Sequence, residues 1–135
     1  MRITKHRGKR EDNGEWVYGA FYPIKNEDVS FIINNCKSID FDDNDTNFNG
    51  HKVHPKSIGE FTGLYDKNGN DIYEGDIVEC KKTTNKYSYK FTSVVTMQYG
   101  CFGVITDRFI ALKDLNEGNI KIIGNVFENE DLVKL

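Results

Sequence analysis

The chain of 135 residues carries 18 Lys and Arg against 21 Asp and Glu, a formal net charge of −3, with 38% hydrophobic and 13% aromatic residues. A chain of this length buries roughly two-thirds of the surface it exposes when unfolded, and its aromatic load excludes a disordered polymer. No apolar run approaches the ~18 residues of a membrane span, no apolar stretch follows the basic start, and Cys36, Cys80 and Cys101 form no CxxC pair, so one cytoplasmic domain of residues 1–135 with reduced thiols is expected.

In chain order, the run 2–7 and the run 15–22 flank Asp12-Asn13-Gly14, and an Asn-Gly pair favours the positive φ angles of a tight hairpin. In the second run Trp16, Tyr18, Ala20 and Tyr22 alternate with Val17, Gly19 and Phe21, the period of a strand, and the aromatic face is expected to be core. Residues 29–34 read as a further strand, and the acidic stretch 40–50 reads as an exposed loop. Residues 57–64 lead through the turn Asp66-Lys67-Asn68-Gly69 to a strand starting near Asp76. A long run over 87–99 is expected to be one strand that turns near Gly100 into 101–105 and 109–112. Residues 120–127 form the last strand, and Asn129 followed by Glu130 and Asp131 reads as the capped start of a helix. Many short strands and little helix predict a mostly β domain, a small antiparallel barrel or roll.

Several groups of residues bear on chemistry. Asp45-Thr46-Asn47-Phe48-Asn49-Gly50 copies the first half of a calcium-binding EF-hand loop, but the twelfth position is Lys56 where a bidentate Glu is needed, so no metal is expected. Asp40, Asp42, Asp43 and Asp45 instead form a carboxylate row that could imitate nucleic-acid phosphates before a basic groove, a candidate protein-binding surface. Two basic clusters support the alternative of nucleic-acid binding. Arg2, Lys5, Arg7, Lys9 and Arg10 crowd the first ten residues, and Lys81, Lys82, Lys86 and Lys90 interleave with Tyr87 and Tyr89, rings able to stack on single-stranded bases. His51 and His54 lack partners for a zinc site, and no nucleophile and base pair or phosphate loop can be read, so the expectation is no catalytic residue, no cofactor and no enzyme. The acids Asp71, Glu74, Asp76 and Glu79 around Gly75 read as surface.

The segment FTGLYDKNGNDIYEGDIV over 61–78 resembles the YopX family of small proteins encoded by bacteriophages and prophages. Its closing pattern is matched by IGNVFENEDL over 123–132, and its start by RGKR over 7–10 and DNGEWVYG over 12–19. The resemblance implies an SH3-like barrel or roll with an N-terminal hairpin extension and short helical pieces, a phage or prophage origin, and no catalytic residues to carry over. It leaves 23–57 and 81–89 as the variable loops, where a rigid scaffold would present its binding surface. Gly63, Gly69, Gly75 and Gly124 read as turn and bulge positions, with Ile72, Tyr73, Ile77 and Val78 as core.

The leading expectation is thus a non-enzymatic protein that engages a bacterial host or defence protein through its loops. Nucleic-acid binding through the basic clusters is the alternative. A small-molecule-sequestering oligomer is a weaker one, since an edge strand could pair with a second copy.

Overall fold

The computed structural model describes residues 5–23, 30–33 and 50–133. Strands β1 (His6–Lys9), β2 (Trp16–Pro23), β3 (Ser30–Ile33), β4 (Gly50–Val53), β5 (Gly59–Tyr65), β6 (Asp71–Tyr73), β7 (Asp76–Thr83), β8 (Ser88–Val94), β9 (Thr96–Gln98), β10 (Cys101–Ile105), β11 (Phe109–Ala111) and β12 (Ile120–Asn125) are joined by turns and short 3₁₀ pieces. The mostly β, antiparallel character and the N-terminal hairpin are as the sequence led us to expect. The pairing gives three antiparallel sheets, none closed into a barrel.

The chain divides into two compact units, 1–60 and 61–135. In the first, β4, β3, β2 and β1 pair in that order, and the first two residues of β5 pair with β1. The β1–β2 turn is the Asn-Gly turn: Gly14 has φ +74 and donates its N–H to the Arg10 carbonyl, while Asn13 Oδ1 accepts from the Glu15 N–H. Ile32 and Val53 are fully buried. Gly8 lies against Val53 so closely that a Cβ at residue 8 would come within 2.8 Å of the valine side chain.

In the second unit β12, β7 and β8 form one sheet and β11, β10 and β9 another. Ile72, Val78, Cys80, Val95, Val104, Ile110, Leu112 and Ile120 make its core, each large side chain contributing about 2–3 kcal/mol by leaving water. The expected core residues Ile72, Tyr73, Ile77 and Val78 are all buried. Gly63, Gly69 and Gly75 adopt φ between +82 and +93, and Gly124 sits at a β12 register shift where a Cβ would strike the Asn129 side chain.

Three expectations are corrected. The run 87–99 is two strands in two sheets: as far as Val94 it pairs with β7, and from Thr96 it pairs with β10. The expected helix after Asn129 is a single 3₁₀ turn at Glu130–Leu132, since the Asn129 side chain accepts from the Asn125 N–H instead of capping the turn. Asp76 is buried rather than a surface acid, and its Oδ2 accepts from the Tyr73 N–H at 2.8 Å.

Candidate functional site

The β7–β8 hairpin gathers the second basic cluster. Its register sets Lys81 opposite Lys90, Lys82 opposite Tyr89 and Cys80 opposite Phe91. Residues two apart on a strand share a face, so Tyr87, Tyr89 and Phe91 form a ladder with ring centroids 6.2 and 6.0 Å apart. The ladder runs from core to solvent: Phe91 packs against the hydrophobic core, Tyr89 is half-buried, and Tyr87 is 64% exposed. The turn holds Tyr87 in place, because its carbonyl accepts from the Thr84 N–H and hydroxyl and its own N–H donates to Thr84 Oγ1.

Lys82 shares the ladder face, whereas Lys81 and Lys90 point to the other side. Lys81, Lys86 and Lys90 are exposed; Lys90 lies 3.8 Å from Glu79. Asp107 is held below the usual carboxylate range first by the Thr106 hydroxyl, with lesser help from its own backbone and from the charges of Arg108 and Lys82.

The N-terminal cluster lies on β1 and the turn after it. Register pairs Arg7 with Tyr18 and Lys9 with Trp16, so Lys5, Arg7 and Lys9 share a face with Trp16 and Tyr18. The Arg7 guanidinium lies 4.9 Å from the Trp16 ring centre, and Lys5 Nζ 6.0 Å from that of Tyr18. The expectation that this aromatic face is core fails at Tyr18. The buried face of this sheet is the alternate one, that of Gly8, Ile32 and Val53, whereas Tyr18 is 48% exposed and Trp16 half-buried. The side chain of Tyr22 lies outside the described residues. The Arg10 Nε and Nη2 donate to Asp12 at 2.8 and 2.5 Å, a fork that raises the guanidinium pKa and lowers that of Asp12.

Arg2 and the aspartates Asp40, Asp42, Asp43 and Asp45 lie outside the described residues, as does the EF-hand-like stretch up to Asn49. Among the described residues no three His, Cys, Asp or Glu are placed to hold a metal ion, and no helix is long and apolar enough to cross a membrane. Cys80 is buried, and that burial, with the charge of Glu79 as a lesser cause, pushes its thiol up to about 11, so it stays protonated and unreactive. The TGLYDKNG segment has a structural task. Asp66 Oδ1 accepts from the N–H groups of Asn68 and Asn70 and Oδ2 from that of Ile122, tying the turn to β12.

Two features were missed on reading the sequence. Phe91 is the rung that seats the tyrosine ladder in the core, and the signal was its two-residue spacing from Tyr89. The second is the pairing of cations at 5, 7 and 9 with rings at 16 and 18, legible once the Asn-Gly turn fixes the register.

A family model described as YopX protein matches residues 5–134. The crystal structure of protein EF1440 from Enterococcus faecalis superposes with a TM-score of 0.55 at 23% identity, covering 99% of this chain and 100% of that one. The search of curated proteins returns no match.

Proposed function

Because the chain belongs to the YopX family, we propose that it is a non-enzymatic binding protein whose β7–β8 hairpin engages single-stranded nucleic acid. The observation that carries this reading is the ladder of Tyr87, Tyr89 and Phe91 on one face of a hairpin that also bears Lys81, Lys82, Lys86 and Lys90. Lysines attract phosphates without regard to sequence, and rings two residues apart offer faces to unstacked bases. Stacked bases lie only ~3.4 Å apart along a strand, so centroids about 6 Å apart suit a strand whose bases are spread rather than a duplex.

The test is fluorescence anisotropy of a labelled oligothymidylate against rising salt. Engagement of two to four phosphates gives a log–log slope of about −1.4 to −2.8, at about −0.7 per phosphate. Tyr87→Ala with Tyr89→Ala should weaken binding by at least tenfold, since each stacked base is worth about 1–3 kcal/mol. A flat salt titration, or an unaffected double variant, refutes the reading.

The protein-partner reading rests on the four aspartates at 40, 42, 43 and 45. Affinity capture from bacterial lysate separates the two: a stoichiometric protein retained after nuclease treatment favours the acidic row, and retention that nuclease abolishes favours the hairpin. Asp→Lys at all four positions should then abolish capture of that protein while leaving the melting temperature nearly unchanged.

A further inference from the structure

The chain that follows the tyrosine ladder folds back against it. Beyond Val94 the run continues into β9, and β10 returns antiparallel to it, with Gly103 opposite Thr96. Two residues later the Ile105 N–H donates to Ser93 Oγ at 3.0 Å. Ser93 is the next residue after Phe91 on the ladder's own face, so this bond sets the end of β10 against that face. Because β10 runs opposite to β9, the turn Thr106-Asp107-Arg108 beyond Ile105 is carried along β8 towards Phe91 and Tyr89. Its reach agrees with the charges there: the Asp107 carboxyl, lowered chiefly by the Thr106 hydroxyl, also feels Lys82, which stands opposite Tyr89.

The turn is internally braced. Thr106 donates its hydroxyl to Asp107 Oδ1 at 2.9 Å and accepts from the Asp107 N–H, and its own N–H donates to the Arg108 carbonyl at 3.1 Å. These bonds engage Asp107 and leave the Arg108 guanidinium exposed, with no ion pair among the described residues. We infer that the β10–β11 turn is the second wall of the ladder site, and that Arg108 binds the phosphate of a nucleotide whose base lies on Tyr89. The inference rests on the hairpin reading and adds to it a residue from another pair of strands. An arginine suits the place, because its planar fork of donors meets phosphate oxygens in two parallel bonds, where an ammonium acts as a point charge. Asp107 sets the position, since an ionised carboxylate repels phosphate and keeps the backbone of the strand to the guanidinium beside it.

The test is the salt titration of a labelled oligothymidylate with the full chain, comparing the parent with Arg108→Gln, Arg108→Lys and Lys121→Gln. Lys121 is exposed and stands opposite Glu79, on the face away from the ladder, so its variant loses the same charge without touching the site. At a slope of about −0.7, one phosphate contact is worth about eightfold in affinity at ~50 mM salt and less than about twofold at ~0.5 M. Arg108→Gln should lose that much and flatten the slope by about 0.7, while keeping the parent's thermal midpoint. Arg108→Lys retains the charge and should recover the slope. Lys121→Gln should match the parent in both slope and affinity.

Arg108→Gln with the parent's slope and affinity, while the Tyr87→Ala, Tyr89→Ala variant binds weakly, overturns the inference and leaves the hairpin reading intact. Equal losses in Arg108→Gln and Lys121→Gln would report net charge rather than contact, and overturn it as well. Absence of oligonucleotide binding by the parent overturns both readings.

Discussion

Asp66 shows how a residue that looks like a surface acid in a turn becomes a structural one. Its side chain is only 3% exposed, and it accepts three backbone N–H groups, from Asn68, Asn70 and Ile122. Burial alone would push its pKa up, but the N–H groups of Asn70, Ile122 and Asn68 together outweigh that and hold it below the ordinary carboxylate range. A lowered folded pKa means stability that is fully present above the unfolded value of about 3.9 and is lost as pH falls through the folded one. Asp66→Ala leaves three N–H groups to find new partners and should cost about 2–4 kcal/mol in urea denaturation. Asp66→Asn should cost less and should flatten the acid side of the stability profile. A variant profile as steep as the parent's below pH 5 would place that acid sensitivity elsewhere. Gly103 makes a different demand, because a Cβ there would collide with the Phe109 ring and the Ile110 carbonyl. Gly103→Ala should therefore lose about 1–3 kcal/mol through overpacking, read as a lower denaturation midpoint with an unchanged m-value.

Between elements of the second unit, Ser93 on β8 accepts the Ile105 N–H of β10 at 3.0 Å, a bond from one sheet to the other. The serine is buried, so Ser93→Ala strands a backbone donor and should destabilise by about 1–2 kcal/mol; a loss below about 0.3 kcal/mol would show that the amide finds another acceptor. At this scale the sequence was informative where local chemistry decides and silent where tertiary contacts do. The turns at Asn13-Gly14 and Asn68-Gly69, and the core places of Ile72, Ile77 and Val78, could be read from residue type, since positive φ and apolar character are local properties. The break at Val95 could not, because alternation continues through it and only the pairing of 96–98 with β10 assigns that part of the run to another sheet. Barrel closure was likewise beyond reach, since strand count and turn spacing do not fix which edges meet. For β2 the period was right and the face was wrong. Aromatic residues are the usual core formers, but Tyr18 stays exposed with Lys5 over its ring, while Gly8, Ile32 and Val53 are buried on the other side.

For the molecule as a whole, a net charge of −3 opposes diffuse attraction to polyanions, so any nucleic-acid contact must come from local clusters and involve few phosphates. That sets an upper limit on the salt dependence and makes individual acids near a cluster influential. Glu79 is the clearest case, standing on β7 with its carboxylate 3.8 Å from the Lys90 ammonium on β8. Both side chains are largely exposed, so the pair contributes little to stability, within about 0–1 kcal/mol, but it takes one of four lysines away from a passing phosphate. Glu79→Gln removes the competing charge and shifts the net charge from −3 to −2. It should leave the denaturation midpoint almost unchanged, tighten oligothymidylate binding about two- to fivefold at low salt, and steepen the salt slope by up to about 0.7, the increment for one further phosphate. Because the added attraction is electrostatic, the gain should vanish as salt rises and the two titration curves should converge. Equal binding at every salt concentration would mean that Lys90, on the face opposite the tyrosine ladder, does not reach the strand. The contact would then be confined to Lys82, Lys86 and the rings.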